Sequence, residues 1–255
     1  MLSVDTVGTA DRHHYPMEKG VTGPGRVSGY RLEVPSAAAA VRGWVVLWEY
    51  RTGGRMSGRL ILGHLHGDGW RIAFVAEIPR SVRPPVAQHD AAGAPRIATP
   101  AMTRTTPTPR EIPRELVRRL DATLGDGSAS STPIRDSADV AGDYRFVWNG
   151  EPPAAVSYSF AVHGWPPPLV VELADGTQLL CAAIVGSVRL YPLPGIQLWW
   201  IGGVLGALTH EKHASVELGG EMISMVALAV PPRATKTNPI RTVALTSGVV
   251  AAWSR

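Results

Sequence analysis

Cysteine occurs once in these 255 residues, at Cys181, lysine only at Lys19, Lys212 and Lys236, and charged residues make up just 18% of the chain. One cysteine excludes an intrachain disulfide. Its place inside Leu179-Leu180-Cys181-Ala182-Ala183-Ile184-Val185 makes it core filler, because a nucleophilic thiol needs a nearby base and partial exposure. Long hydrophobic runs are missing too. The longest candidate, Ile196 to Leu208, is broken by Gly202, Gly203 and Gly206 and falls short of the ~20 residues that span a bilayer, so no membrane partner is expected. The N-terminus carries Asp5 and Asp11 and lacks an apolar stretch, which argues against a secretory signal. The chain has no Gly-x-Ser-x-Gly, Walker-type loop, dinucleotide glycine fingerprint or His-Glu-x-x-His, and so no complete catalytic or metal-binding motif. The expectation is a protein that is not an enzyme and needs no cofactor.

What is plentiful is glycine (27), proline (22) and hydrophobic residues (45%), a mix that favours many short strands joined by turns over a helical bundle. The net charge of +4 rests almost entirely on arginine, whose planar fork suits phosphate and carboxylate. A GC-rich genome produces the same bias, and an excess of four charges does not by itself identify a nucleic-acid binder.

Residues 1–27 show no hydrophobic periodicity and read as a flexible N-terminal arm. Strand patterns begin at Tyr30-Arg31-Leu32-Glu33-Val34. The apolar run Trp44 to Tyr50 follows, then a hairpin from Arg59 through His66 and back from Trp70 to Ile78. The Pro-, Thr- and Arg-rich stretch 79–110 reads as a long surface loop. The one helix expected is Pro113 to Leu124, with Leu116, Val117, Leu120 and Leu124 on one face and Gly125 ending it. Its other face carries Arg110, Arg114 and Arg118 at spacing four, beside Arg119. A polar loop, Asp126 to Asp143, precedes strands at Tyr144–Trp148, Val156–Val162, Leu169–Leu173, Gln178–Val185, Val188–Tyr191, Ile196–Ile201, Val216–Leu218 and Met222–Val230, with Asp175-Gly176 as a tight turn. This pattern predicts a mainly β protein: a two-sheet antiparallel sandwich of the jelly-roll kind, with one helix in a long connection. The expected boundaries are 28–232 for the sandwich and 233–255 for a C-terminal tail.

The sharpest local signal is Gly58 followed after five residues by His64-Leu65-His66, which resembles the first motif of cupins, where alternation puts two imidazoles on one strand face. That resemblance implies a metal site at His64 and His66. The family's glutamate is replaced by Trp70 and Arg71, Glu77 comes too late, and Pro192-Leu193-Pro194-Gly195 lacks the third histidine after it. His210 and His213 read as a polar loop, and His13 and His14 belong to the arm. Glu172 and Asp175 are the nearest strand-end carboxylates, with a solvated hairpin as their plainer role.

Two further stretches resemble the jelly-roll coat proteins of small icosahedral RNA viruses. Val34-Pro35-Ser36-Ala37 leads through Trp44–Tyr50 to Ser57-Gly58-Arg59-Leu60-Ile61. Near the other end, Gly220-Glu221-Met222-Ile223-Ser224-Met225-Val226-Ala227-Leu228-Ala229-Val230-Pro231 has the shape of that family's last strand. The resemblance implies a capsid subunit that self-assembles into a homo-oligomeric shell around viral RNA, located in the virion and, before assembly, in the host cytoplasm. Many such coats begin with an arginine-rich arm. Here the arm offers Arg12, Lys19 and Arg26, which leaves Arg110, Arg114, Arg118 and Arg119 as the further candidates for nucleic-acid contact.

Overall fold

The computed structural model describes residues 27–33, 44–51, 56–66, 69–91, 95–98, 105–125, 131–148, 154–164, 168–194, 199–200, 207–209, 213–214 and 216–255. In chain order its strands are β1 (Val27–Glu33), β2 (Trp44–Arg51), β3 (Met56–His66), β4 (Gly69–Pro79), β5 (Ile97–Ala98), β6 (Ile134–Arg135), β7 (Ala154–Val162), β8 (Leu169–Glu172), β9 (Gln178–Pro192), β10 (Trp199–Trp200), β11 (His213–Ala214), β12 (Leu218–Val230) and β13 (Ile240–Ser254). The helices α1 (Ile112–Leu124) and α2 (Val140–Trp148) lie between them, and residues 207–209 form a further helical turn. The protein is mainly β, as its glycine, proline and hydrophobic content implies.

One eleven-stranded sheet runs in the order β1-β2-β3-β4-β13-β12-β9-β8-β5, with β6 beside β13 and β7 beside β9. All of its pairings are antiparallel except β6 with β13. The β4 to β13 junction is one register pair, Leu245 with Glu77, and there the sheet curls over. Leu60 and Leu62 of β3 and Phe74, Ala76 and Ile78 of β4 therefore share a core with Leu179, Cys181, Met225, Ala227 and Ala229. The opposite face of β9 and β12 presents Leu180, Ile184, Val188, Val226, Leu228 and Val230 to Ile112, Leu116 and Leu120 of α1 and to Val140 and Tyr144 of α2. Strands buried on both faces need no polar alternation, which explains the unbroken apolar runs at 179–185 and 225–230. Successive strands pair directly as β1-β2-β3-β4, β8-β9 and β12-β13. The described pairings thus build one curled, mainly antiparallel sheet, consistent with the expected β-sandwich, with β10 and β11 paired apart from it.

Four expectations need correction. Tyr144–Trp148 is the second half of a helix, not a strand, and the loop expected over Asp126 to Asp143 contains β6 and the start of α2. Helix α2 begins because the Asp136 carboxylate accepts the N–H groups of Val140 and Ala141, both at 3.0 Å, and Asp139 Oδ1 accepts that of Gly142 at 3.1 Å. The strands expected at 178–185 and 188–191 are one, β9, which passes through Gly186 without a break. The tail expected over 233–255 is instead β13, paired along its length with β12. The run Trp44–Tyr50 forms β2, between β1 and β3, and its side chains fall outside the described residues.

Helix α1 was expected at Pro113 to Leu124 and starts one residue earlier. Ahead of it, Thr108 donates its N–H and its hydroxyl to Glu111 Oε2, each at 2.8 Å, and its carbonyl accepts the N–H groups of Glu111 and Ile112, which turns the chain into the helix. Gly125 does end it, though with φ of −125° rather than in the left-handed region. The Asp175-Gly176 turn between β8 and β9 is present, and Gly176 has φ of +80°.

Candidate functional site

Strand β7 reads Ala-Ala-Val-Ser-Tyr-Ser-Phe-Ala-Val, nine residues with no charge and no proline. β-Branched and aromatic residues at alternate positions favour the extended chain. It pairs with the C-terminal half of β9, from Ala154 opposite Pro192 to Val162 opposite Ile184. The His163 N–H donates to the Ala183 carbonyl at 2.9 Å, which fixes the phase of the ladder. Odd-numbered residues of β7 bond to β9, so the backbone groups of Val156, Tyr158, Phe160 and Val162 point to the other side. Among the described residues no strand pairs there.

Tyr158 and Phe160 reach under α1 into the core with their rings parallel, centroids 6.3 Å apart, and Phe160 meets Tyr144 edge-on at 4.8 Å. On the opposite face Ala155, Ser157, Ser159 and Ala161 are exposed; Val156, on the same face as the two rings, is itself 42% exposed. The strand is thus anchored by its two aromatics; among the described residues no strand pairs along its other edge, and the end of α1 lies over part of it, with Gly125 near the Tyr158 carbonyl.

One outward donor is occupied, since Asp121 of α1 takes the Phe160 N–H. Burial raises the Asp121 carboxyl above its ordinary value, against the opposing pull of that hydrogen bond. Because folding raises this pKa, the folded chain holds the proton more tightly than the unfolded one. The contribution is therefore full below the unfolded value and is lost as pH rises through the folded one. Asp121→Asn keeps the acceptor and removes the charge, so it is expected to be the more stable protein at about pH 7, with the gap narrowing towards about pH 4. Urea midpoints at the two pH values check this, and a variant weaker than the native protein at neutral pH contradicts it.

Beside this edge lies the basic face of α1. Arg110, Arg114 and Arg118 are exposed, as the spacing of four implies, and Arg119 is half-buried. The face is not purely positive, because Arg118 Nη1 sits 2.6 Å from Glu115 Oε1. Glu111 is held below the ordinary carboxylate value by the Thr108 N–H first and the Thr108 hydroxyl next, with Arg114 adding to them. Arg12, Lys19 and Arg26 lie outside the described residues.

His64 and His66 occupy the end of β3, opposite Arg71 and Gly69 of β4, and their side chains fall outside the described set. Among the described residues no three His, Cys, Asp or Glu side chains converge as a metal site would require. Glu172 is bound by Arg96, just ahead of β5, at 3.0 Å, and Asp175 accepts the Thr177 hydroxyl at 2.6 Å and its N–H at 3.0 Å, so each carboxylate has its own partner. Cys181 is buried in the core, which drives its thiol pKa up.

The edge of β7 was not singled out in the sequence, although its signal is there: a strand-like run of residues 154–162 with no charge and no proline. No family model matches the chain, and the comparisons with curated proteins and with solved structures return no match.

Proposed function

We propose that this protein is a structural subunit that assembles with copies of itself into a coat enclosing nucleic acid, with the edge of β7 as a joining surface. The observation that carries the reading is an uncharged edge along which no strand pairs among the described residues and which α1 covers only in part, because natural sheets normally protect such strands with lysine, proline, a bulge or a covering helix. A second copy suits it, since a neutral strand meets its own copy without charge repulsion in any register. The resemblance to coat proteins of small icosahedral RNA viruses, the mainly β fold and the arginine face of α1 accord with the same reading. Such a subunit acts in the virion and resides in the host cytoplasm before assembly.

Electron microscopy and light scattering of the purified full chain, over a range of salt and pH, test it. Closed particles or discrete oligomers are expected, and a strictly monomeric protein under every condition contradicts the proposal. Val156→Lys places a charge on the exposed edge at a position with room for it, and is expected to shift the population to smaller species while the melting temperature stays near native.

A further inference from the structure

Away from β7, where the chain leaves β4 and enters β13, a groove of about 880 Å³ opens at the end of the sheet. One wall is the segment 81–86 that follows β4, another is the start of β6 and β13, and the third is the turn between β8 and β9. Three arginines from three distant parts of the chain line it: Arg83, Arg135 and Arg241, all exposed. Arg135 and Arg241 are register partners in the parallel β6–β13 pair, so their side chains leave the sheet on the same face, one strand spacing apart.

Like charges directly across a pair of strands are destabilising. The acids of this groove relieve them only in part. The Asp136 carboxylate is engaged by the N–H groups of Val140 and Ala141 and by the Thr242 hydroxyl, the last at 2.8 Å. Asp175 is engaged by Thr177, and the charge of Arg241 acts on it only as the weakest of several influences. Among the described residues no carboxylate lies within ion-pair distance of any of the three guanidinium groups. Ser81, Ser137 and Thr177 add hydroxyls to the lining, and Pro84, Pro85 and Val86 form an apolar, stiff stretch of wall, Val86 being 53% exposed.

We infer that this groove binds the phosphate of a nucleotide, either free or as a link in a single-stranded chain. Planar guanidinium forks match phosphate oxygens two at a time, and the two cross-strand arginines can share one phosphate between them. The proline and valine wall offers a flat apolar surface of the kind on which a base or ribose rests. The volume lies within the range of small-ligand sites. The inference is independent of the β7 edge: a protein can fill this groove and stay monomeric, or assemble with the groove empty.

The test uses the full chain, a fluorescent twelve-residue oligouridylate for anisotropy and AMP for calorimetry. At roughly 50 mM salt the native protein is expected to bind one or both probes. Binding of AMP assigns the site to free nucleotides; binding of the oligonucleotide alone assigns it to a strand. The Arg135→Gln, Arg241→Gln double variant is expected to lose affinity about tenfold or more, and for the oligonucleotide its salt slope should fall by about 0.7 for each phosphate contact removed. Both positions are exposed, and an unchanged melting temperature shows that the variant is folded. Arg189→Gln on β9, an exposed arginine away from the groove, is expected to keep the native affinity. No binding of either probe, or equal losses in the groove and Arg189 variants, overturns the inference.

Discussion

Ending the chain after Pro239 is expected to abolish folding. The truncation removes β13, which lies between β12 and β4 and is the only link between the two parts of the curled sheet among the described pairings. Ile240, Val243 and Ala244 leave the core, and burial of an isoleucine or valine contributes ~1.5–3 kcal/mol each. The loss goes beyond apolar area. Thr242 is fully buried, donates its hydroxyl to Asp136 at 2.8 Å and accepts the Ala138 N–H at 2.9 Å, so its removal frees the very carboxylate that starts α2. Strand β12 also becomes an open edge along its whole length. Since domains of this kind are stable by only ~5–15 kcal/mol, these losses leave no folded margin. Circular dichroism melting and solubility give the answer: the expected product is insoluble or unfolded, and a soluble protein melting cooperatively near the native temperature contradicts this placement of β13.

The second large effect is expected at Tyr144. Its ring is buried between α2 and the sheet, against Phe160 on one side and over Gly186 of β9 on the other. A side chain at position 186 would collide with both rings, so the glycine and the tyrosine are one packing unit. The hydroxyl donates to the Met222 carbonyl at 3.5 Å and receives the Ser224 hydroxyl at 3.1 Å, and Ser224 and Ser247 lie 2.8 Å apart. Burial drives the phenol pKa up, so the group stays neutral through the ordinary pH range. Tyr144→Ala is expected to cost ~3–5 kcal/mol, and Tyr144→Phe, which keeps the ring and leaves Ser224 with Ser247, only ~1 kcal/mol. Urea unfolding of the pair separates ring from hydroxyl. Equal losses in the two variants would show that the hydroxyl, not the packing, holds α2 in place.

The same residues explain what was legible in the sequence. Helix α1 could be read because proline, a 3.6-residue apolar period and a following glycine agree with one another. Helix α2 could not, because Tyr-Arg-Phe-Val-Trp alternates like a strand and is rich in residues that favour strands; the contrary signal lay upstream, in the capping carboxylates of Asp136 and Asp139. Gly186 resembled a break between two strands, yet its role is to make room for two aromatic rings. Strand β13 is built from small and β-branched residues buried to different degrees along its length, so it offered no clean alternation. The arginine face of α1 follows from helical period alone. The three groove arginines do not, since only the curl of the sheet brings positions 83, 135 and 241 together.

The claim that the β7 edge joins copies of this chain has a direct measurement, which the burial of Cys181 makes possible. With the native thiol shielded, a Ser159→Cys substitution on the exposed face supplies one accessible site for a spin label. Two β7 strands paired across copies lie ~4.8 Å apart, close enough for the labels to broaden each other's spectra. The account predicts a broadened spectrum that sharpens on mixing with unlabelled protein and in the Val156→Lys background. A sharp spectrum at every concentration, from a protein that is nevertheless assembled, would contradict it and assign the joining surface to another part of the molecule.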